Sequence, residues 1–340
     1  MLLPSLRHAI DAARVEVVTV VQPSDRRLVG LFPVARRRLH KALPFEIAEL
    51  WNHIYAVNAT PLLDAEAADE VLDTFLRWAA RSCSIVRFPE LREDGEFYPR
   101  LVAAIGRGKA DMLTEQRWER AFFRPARDAD AYIMALGSAH HRKEWRRQER
   151  RLGEHGTVRV DALQPDGDLA AWLDEFVALE ASGWKGRKRT AFDALPAHRA
   201  WLEEVARFAF DNGRLDLLAL RFDGKPIAMH MSILAPPGAY AFKIAFDEAF
   251  VRYSPGVLLE LENVRRLHQM PHIQWMDSLA VAGHSLMERV WSGRAPMQSM
   301  LVASSVQGRA ALALLPTLRR LKQQFLRRDD ASIENASAGL

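Results

Sequence analysis

One cysteine, Cys83, stands alone among 340 residues. It excludes an internal disulfide framework, a cysteine-based structural zinc site and a CxxC redox pair, and it agrees with a reducing compartment. No charge-free apolar run approaches the ~20 residues that cross a bilayer. The first fourteen residues, MLLPSLRHAIDAAR, lack the apolar core of a secretory signal, so the expected location is the cytoplasm. A large charge excess is missing too: 47 basic and 43 acidic residues leave a formal +4, too little to demand nucleic acid, and no DNA partner is expected. Gly106-Arg107-Gly108-Lys109 misses the spacing of a phosphate-binding P-loop, and no G-x-S-x-G elbow occurs. His268 and His272 have a metal-like separation, but Pro271 lies between them and no third ligand is evident, so no metal is expected.

What is present is enough chain for two domains of roughly 150 residues each, with 49% hydrophobic content to fill two cores. Val15–Gln22 and Leu28–Ala35 are rich in β-branched residues and flank a turn-like Pro-Ser-Asp-Arg-Arg, which predicts a hairpin. Asp64 suits an N-cap for a helix with apolar Val71, Leu72, Phe75 and Trp78. A strand at 84–91, a helix from Phe97 to Gly106 or Gly108, and a short element at 131–138 follow. Between the halves, Arg142, Arg146 and Arg150 form one i, i+4 row and Lys143, Arg147 and Arg151 another. That basic helix is either a solvated linker ended at Gly153 or a contact for phosphates, acidic head groups or a membrane surface.

The second half predicts two helices, at 166–184 and 194–213, then three strands at 214–224, 225–234 and 239–247, the first two joined by a tight Asp223-Gly224 turn. A helix begins after Ser254-Pro255-Gly256, with Pro255 suited to its first turn, and ends before Pro271. A strand at 272–280, a helix at 284–293 and a strand at 296–305 complete the order. Strand alternation puts Lys243, Ala245 and Asp247 on one, solvated face and Phe242, Ile244 and Phe246 on the other. Leu314, Leu318, Leu321 and Phe325 share one side of a C-terminal helix that either docks or lies on a membrane surface.

The most informative stretch is the strand, Arg252 to Val257 loop and helix. A helix N-terminus offers unpaired N–H groups and a partial positive charge, and glycine lets an anion approach the backbone, so Arg252, Ser254, Pro255, Gly256 and Val257 are candidate pyrophosphate contacts. Trp184-Lys185-Gly186-Arg187-Lys188-Arg189 joins an aromatic to four basic side chains on a glycine-containing loop, either an ordinary exposed loop or a lid. The order helix, helix, three-stranded meander, anion loop, helix, strand, helix, strand resembles the GNAT acyltransferase fold, and RYSPGV resembles its Q/R-x-x-G-x-G/A loop, with Gly256 displaced by one position. ASGWKGRKRTAF and AFDEAFVRYSPGVLL, with Asp277 and Trp291, resemble the CelD-like subfamily of cellulose-biosynthesis proteins, which is similar to the two-unit FemAB peptidyltransferases.

The resemblance implies an α/β fold of tandem GNAT-like units, with mixed, mostly antiparallel sheets flanked by helices. It places an N-terminal unit at residues 1–152, a catalytic acyl-CoA domain at 153–330 and a flexible tail at 331–340. The implied activity is direct N-acyl transfer from acyl-CoA or an acyl carrier protein to an amine acceptor on an envelope, exopolysaccharide or sphingoid-lipid precursor, with peripheral contact at the inner membrane face. The alternatives are a FemAB-like use of aminoacyl-tRNA and a non-catalytic module in exopolysaccharide synthesis. His284, Asp277 and His230 are the candidate bases; Trp184, Lys185, Arg187, Lys243 and Asp247 are candidate substrate contacts. Cys83 lies outside the acyl-CoA half, which argues against a covalent route.

Overall fold

In the computed structural model, which describes residues 1–11, 14–39, 46–56 and 58–316, the chain divides into two compact units whose segments alternate along the sequence. One comprises Met1–Ala12 and Trp118–Pro296, the other Ala13–Arg117 and Met297–Leu340. The sequence alone suggested one boundary near residue 152; the units instead exchange segments near 12, 117 and 296. The elements are α1 (Leu2–Arg7), β1 (Val15–Val21), β2 (Leu28–Arg38), β3 (Glu46–Leu50), β4 (Leu62–Leu63), α2 (Ala68–Ser82), β5 (Ile85–Arg92), α3 (Phe97–Arg107), β6 (Asp111–Phe123), α4 (Ala129–Ala135), α5 (Ala139–Gly153) and β7 (Val158–Ala162). They continue with α6 (Leu169–Ser182), α7 (Trp184–Arg187), α8 (Pro196–Asp211), β8 (Leu215–Phe222), β9 (Lys225–Ala235), β10 (Gly238–Phe246), α9 (Pro255–His268), β11 (Trp275–Asp277), α10 (Ser285–Val290) and β12 (Gly293–Ala303).

In the unit built on residues 13–117, β1 and β2 form the expected antiparallel hairpin, β3 pairs with β2, and β5 lies between β3 and residues 297–303 of β12. Of the helix stripe read from the sequence, Val71, Leu72 and Phe75 are buried with Leu76 against Phe32, Leu101 and Ile105, and Trp78 packs half-buried beside them. Gly30 lets α2 approach: a Cβ there would sit 2.4 Å from Val71 Cγ1. Asp64 caps the turn before the helix, its Oδ1 accepting from the N–H groups of Glu66 and Ala67, and α2 starts at Ala68.

The other unit orders its strands β11-β10-β9-β8-β7, mostly antiparallel, with Phe122 and Phe123 of β6 paired to β11. Asp223 and Gly224 both take positive φ (48° and 82°), as a two-residue hairpin of type I′ requires. Burial is consecutive along β8 and β9 rather than alternating, because helices cover both faces. The solvated face expected for Lys243, Ala245 and Asp247 is therefore absent: Ala245 is buried, and a bulge at Phe242 shifts the register of β10 against β9. Helix α1 returns to this unit, where buried Ser5 accepts a 2.9 Å hydrogen bond from Trp201 Nε1 and Glu204 pairs with Arg7 and His8. The predicted C-terminal helix begins at residue 306; from 317 onward it lies outside the described residues. Among the described residues, no helix is long and apolar enough to cross a membrane.

Candidate functional site

Strands β10 and β11 run parallel but pair for only three residues, Gly238–Tyr240 against Trp275–Asp277. Beyond Tyr240, β10 continues to Phe246 with β9 as its sole strand partner among the described residues. The fork has two local causes. On one arm, the bulge at Phe242 bends β10, and the Phe242 ring packs among Phe192 and Trp201. On the other, Asp277 Oδ1 accepts the Leu279 N–H at 2.9 Å and Leu279 adopts φ 51°, so the chain turns away after three residues of strand. Asp277 is itself buried and faces the buried guanidinium of Arg120 at 3.7 Å.

Basic groups gather beside the part of β10 that lies beyond its pairing with β11. Lys185 Nζ donates to Glu180 Oε1 at 2.8 Å and to the Ile244 carbonyl at 3.2 Å, while Glu180 Oε2 accepts the Phe192 N–H at 2.9 Å. Glu180 is almost wholly buried, so this carboxylate is held by one ammonium and one amide. Lys243 lies over the Phe192 ring at 5.4 Å. Burial, and then repulsion from Lys185, lower its pKa to about 8, against the smaller opposing pull of Glu180. His284 is the N-cap of α10, and its Nδ1 accepts the Met287 N–H at 3.4 Å. Burial lowers its pKa, with the Lys185 charge acting in the same direction. A neutral ring that accepts at Nδ1 carries its proton on Nε2, so His284 presents a donor.

The Trp184 segment is a one-turn helix rather than a loop. Glu248 holds it, accepting the Trp184 N–H at 2.8 Å and pairing with Arg187 at 2.8 Å, and these bonds lower the Glu248 pKa. Trp184 is 46% exposed, with Lys188 over its ring. Asp247 caps the 3₁₀ turns of Glu248–Tyr253, accepting from Ala249 N–H. Ser254 then takes φ 49° and ψ 52°, and α9 starts at Pro255 with no acidic residue in its first turn. Pro255, Gly256 and Val257 are buried, and a Cβ on Gly256 would lie 2.8 Å from Leu286 Cδ1 of α10. Arg252 is exposed, its guanidinium stacked 4.7 Å from the Tyr253 ring.

His230 lies apart from these groups, in the core. Its Nδ1 is 3.1 Å from Glu260 Oε2, and both side chains are buried. Glu260 Oε1 also accepts from Trp291 Nε1 and from Asn263 Nδ2, each at 2.8 Å. The fork thus collects Lys185, Lys243, His284 and the start of α9, with Asp277 where the strands part. Glu180, Glu260 and Arg120 were not singled out from the sequence. Glu260 had a signal, a carboxylate inside the apolar run Val257–Leu261, and Glu180 stands only five residues before its partner Lys185, whereas Arg120 becomes legible only through Asp277, distant in sequence.

Residues 139–284 match the family model described as an acetyltransferase (GNAT) domain. Among solved structures, FemX is similar at 10% identity, covering 85% of this chain and 88% of that one with a TM-score of 0.53. The C-terminal DUF2156 domain of a protein from Agrobacterium fabrum designated a lysylphosphatidylglycerol synthetase is 14% identical, covering 92% and 93% with a TM-score of 0.53. L-PGS from Bacillus licheniformis is 11% identical, covering 85% and 84% with a TM-score of 0.50. These likenesses are of fold. No curated protein matches the sequence.

Proposed function

We propose that this acyltransferase, which carries a GNAT domain over residues 139–284, moves an acyl group from acyl-CoA to an amine at the fork between β10 and β11. The observation that carries the proposal is the three-residue parallel pairing. It leaves backbone groups of β10 without a ladder partner, where an extended donor containing amide groups can add as a strand would. The Gly256 end of α9 receives the donor's phosphates, helped by the helix N-terminus and the absence of acid in its first turn. Arg252, Ser254, Pro255 and Val257 frame that end.

The amine attacks the thioester carbon, the C–N bond forms as the carbonyl becomes an oxyanion, and the C–S bond breaks with the thiolate taking a proton. His284 Nε2–H supplies a donor for the oxyanion or the leaving thiolate. Lys243, titrating near pH 8, takes the amine's proton from its neutral form. Asp277, held by Arg120, and His230, held by Glu260, position strands and helix. Trp184, Arg187 and Asp247 line the approach for the acceptor, and Lys185 fixes β10 through the Ile244 carbonyl. An envelope, exopolysaccharide or sphingoid amine is the acceptor class, consistent with the CelD-like sequence features, and the protein works in the cytoplasm or at the inner membrane face.

Titration calorimetry with acetyl-CoA and a long-chain acyl-CoA tests this: saturable binding is expected, abolished in Gly256→Glu, whose carboxylate meets both Leu286 and the phosphates. Absence of binding by any acyl-CoA or acyl carrier protein overturns it. A second reading, an aminoacyl-tRNA donor, is favoured by Leu286, which occupies the space over Gly256, and by the fold likeness to FemX. Ribonuclease sensitivity of the transfer reaction distinguishes the two donors.

A further inference from the structure

We infer that the unit containing residues 118–296 has a second binding site, a groove for a single-chain amphiphile with an anionic head, separate from the fork. The groove has a volume of about 590 Å³ and runs between α4, α5, the β7 edge and α9, within the ~300–1,000 Å³ of small-molecule sites. Its floor is Trp145, Leu220, Leu258 and Leu261, which are aliphatic or aromatic and select hydrocarbon over a polar ligand. Met134 and Val160 extend the apolar surface to the rim, where they are 59% and 39% exposed. Val160 lies on β7, which ends the strand order of this unit among the described residues.

The head-group preference follows from α5. Arg142 and Arg146 stand one turn apart on the groove wall, flanking Trp145. Arg142 Nη1 is anchored on the carbonyls of Leu136 and Gly137 at 2.9 and 3.1 Å, which fixes its guanidinium. Arg146 contacts the Arg142 carbonyl and has no carboxylate partner among the described residues. Arg265 is paired with Glu262, and Arg159 shares Asp161 with Arg221. The lining as a whole carries four arginines, Arg142, Arg146, Arg159 and Arg265, against Asp130, Glu149 and Glu262, so the local potential favours an anion. The basic row read from the sequence thereby has a defined neighbour, a hydrocarbon-sized trough on the same helix.

The inference does not depend on acyl transfer, and its test needs no donor. The full chain is titrated calorimetrically with dodecyl phosphate, laurate and dodecyltrimethylammonium, each below its micelle-forming concentration. Saturable one-site binding of dodecyl phosphate or laurate is expected, weakened about tenfold or more by Arg146→Glu and by Val160→Glu. Both are surface substitutions, checked for unchanged thermal melting. Tighter dodecyl phosphate identifies a phospholipid-like head, tighter laurate a fatty acid. Equal binding of the cationic amphiphile, no saturable binding of either anion, or binding indifferent to both substitutions overturns the inference.

Discussion

Replacing Lys243 by methionine keeps the length of the side chain and removes its charge, so it isolates the cost of holding an ammonium in the fold. The fall from 10.5 to about 8 corresponds, at about 1.4 kcal/mol per pH unit, to about 3 kcal/mol. For a base whose folded pKa is depressed, the unfolded chain binds more protons between the two values, so stability rises with pH across that window. Below about pH 8 the penalty is present in full; by about pH 10.5 it has gone. Lys243→Met is therefore expected to be more stable than the parent by up to about 3 kcal/mol near pH 7, a gap that narrows by about 2 kcal/mol near pH 9.5. Urea denaturation of the two proteins in parallel, followed by far-ultraviolet circular dichroism, measures the gap at each pH, and other titrating groups cancel in the difference. Lys185→Met, which removes the like charge, should move the window upward. A gap independent of pH would refute the reasoning, because a packing difference alone does not titrate.

Glu180→Gln leaves Lys185 without its counter-ion while retaining an acceptor for the Phe192 N–H, and should cost about 2–3 kcal/mol in the same denaturation assay. Gly186→Ala puts a Cβ 1.8 Å from the Ala181 carbonyl oxygen, so α7 must leave Glu248; limited trypsin digestion at Lys185–Arg189 should accelerate about tenfold or more, as expected for a loss of at least 1–2 kcal/mol of local stability. His284 has its pKa lowered from 6.5, so the unfolded chain takes up its proton first on acidification and stability falls as the pH drops through 6.5. His284→Asn, which preserves an N-cap acceptor, should flatten that part of the stability profile, and an unchanged acid slope would contradict the assignment.

The parts of the fold written in local pattern were legible: the β1–β2 hairpin from its β-branched runs, the Asp223-Gly224 turn from the residues that tolerate positive φ, and the buried stripe of α2 from its 3.6-residue period. Strand β6 was missed because its first nine residues, from Asp111 to Glu119, are only partly buried or exposed and only the last four are buried, which leaves no continuous apolar signal. The solvated face assigned to Lys243 failed for a different reason. Alternation assumes one wet face and an unbroken register, whereas β10 has helices over both faces and a bulge one residue before the lysine. Lys185 read as part of an exposed basic loop or a lid because the Ile244 carbonyl it holds is brought to it by the fold from 59 residues away.

Both units contain a short parallel pairing, and electrostatics separates them. In the unit built on residues 13–117, β3 and β5 pair for two residues, Ala48 with Val86 and Glu49 with Arg87. Arg87 is there gripped by Glu49 at 3.0 Å and by Glu115 at 2.7 Å, and Arg37 also reaches Glu49 at 3.5 Å, so the cluster is charge-balanced. The helix that follows, α2, opens with Asp69 and Glu70, so its N-terminus carries negative charge where an anionic donor would need positive. The fork of β10 and β11 has two lysines against one glutamate, and a helix whose first turn bears no acid. The two pairings thus share a strand geometry and differ in the helix that follows each first strand, acidic in the first turn of α2 and free of acid in the first turn of α9.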